Sequence, residues 1–142
     1  KGMNKKTNKK EILEKFEDMK KYDSVSRVVA NVIFGTPEYS KEVFEENIDE
    51  SYKIYKSYEG TSKKIDLTSC PLWLLPGTYY YSKRYQHPDK FIAEDDIEKQ
   101  IRYTVIDGKI NLIVGLKYDW FVQVEKDSRQ FIKEISRLKG NT

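Results

Sequence analysis

The sequence predicts an α+β fold: N-terminal helices, an antiparallel meander sheet of about five strands, and a C-terminal helix packed on one sheet face. Three observations point there. Apolar residues recur at helical spacing near both ends of the chain, they alternate with period two through the middle, and Gly, Pro and Asp-Gly steps punctuate the two regimes. A length of 142 residues suits one domain. Residues 1–10 read as a basic flexible tail and 11–142 as a single α+β domain.

Asn8 with Glu11 makes a capping-box-like start, and Ile12, Leu13, Phe16 and Met19 then share one helical stripe. Val25, Val28, Val29, Val32 and Ile33 also have helical spacing, although their β-branched content leaves a strand open. Thr36-Pro37-Glu38 reads as an N-cap, a proline at the first helical position and a dipole-favourable acid. It would start a short helix to about Asn47 that buries Tyr39, Val43 and Phe44.

From Tyr52 the period changes. With Glu59-Gly60 as a two-residue turn, Ile54 faces Ile65, Tyr52 faces Leu67 and Lys53 faces Asp66, although Lys56 then opposes Lys63 unfavourably. After a loop holding Pro71 and Pro76, Thr78 to Tyr85 reads as a strand with Tyr79, Tyr81 and Tyr85 on one face. Asp107-Gly108 is a preferred type I′ hairpin turn. It pairs Val105 with Ile110, Tyr103 with Leu112, Ile101 with Val114 and Ile97 with Tyr118 on an apolar face, with Lys99 against Leu116 the exception. Thr104 and Asn111, then Glu98 and Lys117, meet on the other face, and a one-residue slip would destroy the separation. Alternation runs on through Trp120, Val122 and Val124, as one long bent strand from 109 to 125 or as a third strand after a loop at 117–119. Asp127 with Gln130 would cap a last helix carrying Phe131, Ile132, Ile135 and Leu138, stopped by Gly140.

The formal charge of +3 is unevenly spread. Residues 1–10 carry five lysines and no acid, 35–60 hold seven acids against three bases, and 61–90 hold two acids against five bases. Because the densest basic run is terminal rather than on a folded face, nucleic acid is a disfavoured partner. Met3-Asn4-Lys5-Lys6 reads in two ways. As a native start with no apolar signal core it implies a cytoplasmic protein. As the mature end of an exported precursor it implies a spacer left by a removed signal or lipid anchor, the one expected link to a membrane.

Catalytic chemistry finds little footing. The lone Cys70 and the lone His87, in Arg84-Tyr85-Gln86-His87-Pro88-Asp89, are separated by a proline-rich loop and lack the spacing of a nucleophile–base pair. One histidine and one cysteine do not make a zinc site. Glu94, Asp95, Asp96 and Glu98 lack the alternating ligands and central glycine of a calcium loop, and Glu45, Glu46, Asp49 and Glu50 read as the wet face of a helix end. The seven glycines form no phosphate loop. No catalytic residue, metal or cofactor is expected.

The aromatics point elsewhere. Eleven tyrosines, six phenylalanines and two tryptophans make 13% of the chain; most would serve core or cross-strand packing, but Tyr, Trp and Arg also dominate interface hot spots. The expected partner-binding residues are Trp73, Tyr79, Tyr80, Tyr81, Lys83, Arg84 and Tyr85, on a sheet face left uncovered. The expected function is therefore a non-catalytic protein-binding module. Within that class a small bacterial inhibitor or immunity-type protein, neutralising a partner toxin or enzyme, fits the opposite charge blocks, which would orient and speed association. Two alternatives stand beside it. One is an extracytoplasmic accessory domain of a secretion or conjugation system, of the cystatin or nuclear-transport-factor kind. The other is a nucleic-acid-binding protein using the lysine tail with Tyr79, Tyr81, Lys83 and Arg84.

Overall fold

A computed structural model describes residues 9–94 and 97–140. The chain runs through helix α1 (Lys9–Met19), strand β1 (Arg27–Phe34), helix α2 (Lys41–Ser57), strand β2 (Lys64–Pro71), two short helical turns α3 (Tyr79–Ser82) and α4 (Ile97–Gln100), strands β3 (Ile101–Ile106) and β4 (Lys109–Val114), and the long helix α5 (Tyr118–Gly140). The α+β class holds. The five-stranded antiparallel meander does not: β1 and β2 form a two-stranded parallel sheet, and β3 and β4 a separate two-stranded antiparallel one.

Helix α1 turns Leu13, Phe16 and Met19 onto the first of two cores, and the Tyr58 hydroxyl donates to the Phe16 carbonyl (2.6 Å). The Asn8 cap lies outside the described residues. Of the two readings open for 25–33, the strand is correct. In β1 Val28 and Ala30 are buried while Val29 is exposed, the alternation of a pleat covered on one side.

Helix α2 corrects two expectations. Thr36-Pro37 makes a turn rather than the cap, with the Tyr39 N–H bonded to the Thr36 carbonyl (3.0 Å). The cap is Ser40, whose Oγ accepts from the Val43 N–H (3.2 Å). The helix then runs to Ser57, so the expected hairpin at Glu59-Gly60 does not form. Phe44, Ile48, Ser51, Tyr52, Tyr55 and Tyr58 make a longer helical stripe than Tyr52 and Ile54 make a strand pattern, and the helix buries that stripe on the core. Helix formation also removes the Lys56–Lys63 clash. Lys63 turns inward instead, its ammonium donating to the Tyr22 and Val25 carbonyls, while Lys56 pairs with Glu59 (3.0 Å).

With a helix between them, β1 and β2 pair in parallel, Val28 beside Ile65 and Ala30 beside Leu67. Helix α5 covers the same face through Val124, Phe131 and Ile135, and Ser69 Oγ meets Ser128 Oγ across the seam (2.7 Å). The second core gathers Leu72, Leu74, Tyr80, Phe91, Ile113, Leu116 and Phe121. Trp120 packs against both cores and donates its indole N–H to the Gly35 carbonyl (3.0 Å).

The β3–β4 register is the expected one, with Val105 beside Ile110, Tyr103 beside Leu112, Ile101 beside Val114 and Thr104 beside Asn111. Positive φ at Asp107 and Gly108 marks the type I′ turn. The ladder stops at Ile101 and Val114, so the expected pairs from Ile97–Tyr118 to Lys99–Leu116 do not form, and Leu116 bridges Phe91 instead. Neither strand reading of 118–125 is correct. Phe121, Val124, Ser128, Phe131 and Ile135, spaced three and four apart, form the buried stripe of α5, which begins nine residues before the expected Asp127 cap.

Candidate functional site

The seven sequence-predicted contact residues sit on a loop and helical turn rather than a strand. From Leu72 to Leu75 the chain is extended: Leu72 and Leu74 are buried, and Trp73 and Leu75 point outward. Leu72 donates to the Phe34 carbonyl (2.8 Å) and Leu74 to the Val114 carbonyl (2.9 Å), which ties this run to the ends of both sheets. Thr78 to Tyr85 then coils, so its tyrosines fan around a turn instead of alternating across a sheet. Tyr79, Lys83 and Tyr85 are exposed, whereas Tyr80 (4% exposed) and Arg84 (5%) point inward. The Tyr80 hydroxyl donates to Glu38 Oε2 (2.5 Å). Half-buried Tyr81 accepts from the Gln100 amide (3.0 Å).

Arg84 holds the turn together. Its guanidinium lies 4.1 Å from the Tyr81 ring centre and 4.4 Å from that of Tyr85. It donates to the carbonyls of Tyr81 (2.9 Å) and Ala93 (3.3 Å) and to the Tyr85 hydroxyl (2.8 Å). A planar cation between two rings, with its N–H groups pointed at carbonyls, is a structural clamp. Tyr80, Tyr81 and Arg84 therefore shape the loop from inside, and Trp73, Tyr79, Lys83 and Tyr85 are the members a partner can reach.

Two sheet faces are uncovered, and they differ in character. On the open side of β1–β2, Arg27 pairs with Asp66 (3.0 Å), Asn31 accepts from the Thr68 hydroxyl (2.9 Å), and its amide donates to Cys70 Sγ (3.4 Å). Its polar groups are largely satisfied from strand to strand. The outer face of β3–β4 is the opposite: Tyr103 is 71% exposed, Val105 64% and Ile110 75%, with Ile101 beside them.

The sequence left open which face of the hairpin is uncovered, and it is the face carrying Tyr103, Val105 and Ile110. The inner side gives fully buried Ile113 to the second core, which Phe121 of α5 also joins, and Ile106 packs against that core. At the tip, Asp107 is bonded to Arg129 (2.6 Å). Eight residues of helix separate Phe121 from Arg129, about 12 Å of axial rise, so α5 shares the second core with the base of the hairpin and reaches its turn through Arg129. On the outer face only Val114, at the base, is buried. The sequence carried the signal for this surface, since it put Ile101, Tyr103, Val105 and Ile110 on one face. It carried no signal that the helices would cover the other.

Cys70 and His87 are not brought into a working pair: the thiol faces Asn31 on the β1–β2 sheet, and His87 stacks edge-on against Phe91 (6.0 Å between ring centres). Among the described residues no three His, Cys, Asp or Glu side chains come together as a metal-holding group. Asp95 and Asp96 lie outside those residues. No protein-family model matches the chain, and neither a curated protein nor a solved structure gives a significant match.

Two phenols, buried Tyr80 and half-buried Tyr39, give the fold a pH limit. Burial first, and then the hydrogen bond to Glu38, pushes the Tyr80 hydroxyl well above its usual range. Burial and the hydrogen bond to Asp127 (2.7 Å) do the same for Tyr39. A raised pKa means that the native state favours the neutral phenol. The associated stability is complete below the unfolded value of about 10 and is lost as the pH climbs towards the raised one. Thermal melts from pH 8 to pH 11 are expected to show a steeper fall for wild type than for the Tyr39→Phe/Tyr80→Phe double variant. Parallel curves would contradict this.

Proposed function

We propose that this chain is a non-catalytic protein-binding module of the small inhibitor or immunity type, and that its main contact surface is the outer face of the β3–β4 hairpin. The observation that supports it most is the joint exposure of Tyr103, Val105 and Ile110 on one face of the hairpin. Burying each of these side chains is worth about 1.5–3 kcal/mol, and clustered apolar exposure marks interaction sites far more often than a single exposed side chain does. The β3–β4 register decides which side chains share the face, and the exposed Asp107–Arg129 pair links its tip to α5. A preformed face loses little conformational freedom on binding.

Trp73, Tyr79, Lys83 and Tyr85 remain available on the neighbouring loop as additional anchors. Helix α2 supplies a separate charged feature, with Glu42, Glu45, Glu46 and Asp49 on its exposed side. Long-range attraction from such a stripe raises the association rate more than the final affinity.

Ile110→Glu tests the reading. The side chain is exposed, so the substitution leaves the core untouched while placing a charge on the face beside Val105. A protein captured from the source cell by wild type is expected to bind at least 100-fold more weakly to Ile110→Glu and about tenfold more weakly to Trp73→Ala, with unchanged melting of the free chain. If Ile110→Glu retains that protein with undiminished affinity, the hairpin face is not the contact surface.

A further inference from the structure

The outer hairpin face adjoins a free edge, and the residues at both are the same. Among the described residues, strand β3 pairs with β4 alone. With a two-residue turn at Asp107-Gly108, Ile106 and Lys109 form the first hydrogen-bonded pair, so Thr104 and Arg102 also direct their backbone groups at β4. Ile101, Tyr103 and Val105 then direct theirs away from it. The Val114 carbonyl, bonded outward to Leu74 at 2.9 Å, shows the same parity on β4. A free edge beside exposed apolar side chains is a template for another strand.

We propose that this edge is occupied by β3 of a second copy of the chain, antiparallel about a two-fold axis at Tyr103. The occupant follows from self-complementarity. With the axis at Tyr103, Ile101 of each copy lies beside Val105 of the other, and the two Tyr103 rings are adjacent. All three outward positions are used, giving about six backbone hydrogen bonds. On the opposite face Arg102 meets Thr104, so no like charges are opposed. At the strand ends Lys99 of one copy comes towards Asp107 of the other, an opposite-charge approach. Moving the axis to Arg102 would set two guanidinium groups face to face, and moving it to Thr104 would leave Ile101 unpaired. Such an interface is isologous, as a two-fold requires. The product is a four-stranded sheet, β4–β3–β3–β4, whose outer face carries Tyr103, Val105 and Ile110 twice.

This inference goes beyond the partner-binding reading and fails separately from it. Sedimentation of the full chain is expected to show a monomer–dimer equilibrium with a dissociation constant on the order of 10 µM, the range of a small interface. Tyr103→Lys sets two ammonium groups together on the axis and should weaken the dimer at least 100-fold. Thr104→Asp places a carboxylate opposite Arg102 of the other copy and should strengthen it about tenfold at low salt. Ile110→Glu, off the edge, should leave the dimer constant within about threefold. A wild-type chain that stays monomeric into the high micromolar range, or a dimer indifferent to Tyr103→Lys, overturns the proposal. A dimer weakened by Thr104→Asp overturns the register. Edge pairing with a strand of a different protein would appear as a monomeric chain whose complex is lost with Tyr103→Lys, and it too overturns the second-copy assignment.

Discussion

Phe34→Ala is expected to destabilise the protein by about 4 kcal/mol, near the top of the range for a fully buried aromatic. Phe34 closes β1 and has no exposed surface. Its ring centre lies 5.5 Å from Tyr39, 5.9 Å from Phe44 and 5.5 Å from Phe131, the Tyr39 and Phe131 contacts edge-to-face. The ring therefore joins the strand to the turn after it and to α2 and α5. Truncation removes the transfer free energy of the ring, leaves a cavity framed by elements that cannot all collapse inward, and breaks three ring contacts. In urea the unfolding midpoint should fall by about 2 M at an unchanged slope. Val29→Ala is the control. It lies on the same strand with its side chain on the exposed face, and should change stability by no more than about 0.5 kcal/mol. A Phe34→Ala loss below about 1 kcal/mol would mean that this cluster does not hold the first core together.

The elements legible in the sequence were those where one period alone was satisfied. The β3–β4 register follows from Asp107-Gly108 and the alternation on either side, and the α1 stripe of Leu13, Phe16 and Met19 admits no strand reading. The misread elements satisfied two periods at once. Trp120, Val122 and Val124 alternate, but Phe121 and Val124 also begin a three-and-four spacing that continues to Ile135. Tyr52 and Ile54 alternate, but Tyr52 and Tyr55 continue a stripe from Phe44. In both cases the outcome was set by what each face packs on, which no window of sequence contains. Lys63 carries the same lesson, since a lysine that fills its hydrogen bonds with the carbonyls of Tyr22 and Val25 looks in sequence like any surface cation.

The contact surface divided along similar lines. Aromatic richness points to Trp73 and to Tyr79 through Tyr85, and of these Trp73, Tyr79 and Tyr85 are exposed. Burial of Tyr80 and Arg84 was illegible because it depends on Glu38, far back in the chain, and on a helical turn where a strand was expected. The hairpin face is fully legible as a face, but whether it is covered is not. Alternation says which side chains travel together, and only the position of α5, fixed by Phe121 against the second core and Arg129 at Asp107, says which side is closed.

Gly115→Ala is expected to have an effect nearly as large as Phe34→Ala, through the backbone. Gly115 joins β4 to the bridge at Leu116. Its N–H donates to the Gln100 carbonyl (2.6 Å), its carbonyl accepts from Ile92 (2.8 Å), and its φ is +79°. A Cβ there would stand 2.6 Å from Leu74 Cβ and 3.1 Å from the Leu74 carbonyl oxygen. Neither atom is the loose end of a side chain, and Leu74 is itself bonded to Val114 (2.9 Å), so relief requires the hairpin and the 72–75 run to separate. Gly108→Ala isolates the two contributions. It has nearly the same φ, +77°, with nothing within 4 Å of the added carbon, so it should show only the left-handed backbone penalty of about 1 kcal/mol. Gly115→Ala should lose about 3 kcal/mol, the difference being the collision with Leu74. Equal losses for the two variants would mean that Leu74 yields freely and that the hairpin is not clamped at its base. In that case Ile113 and the inner side would have to hold the outer face in place without that contact.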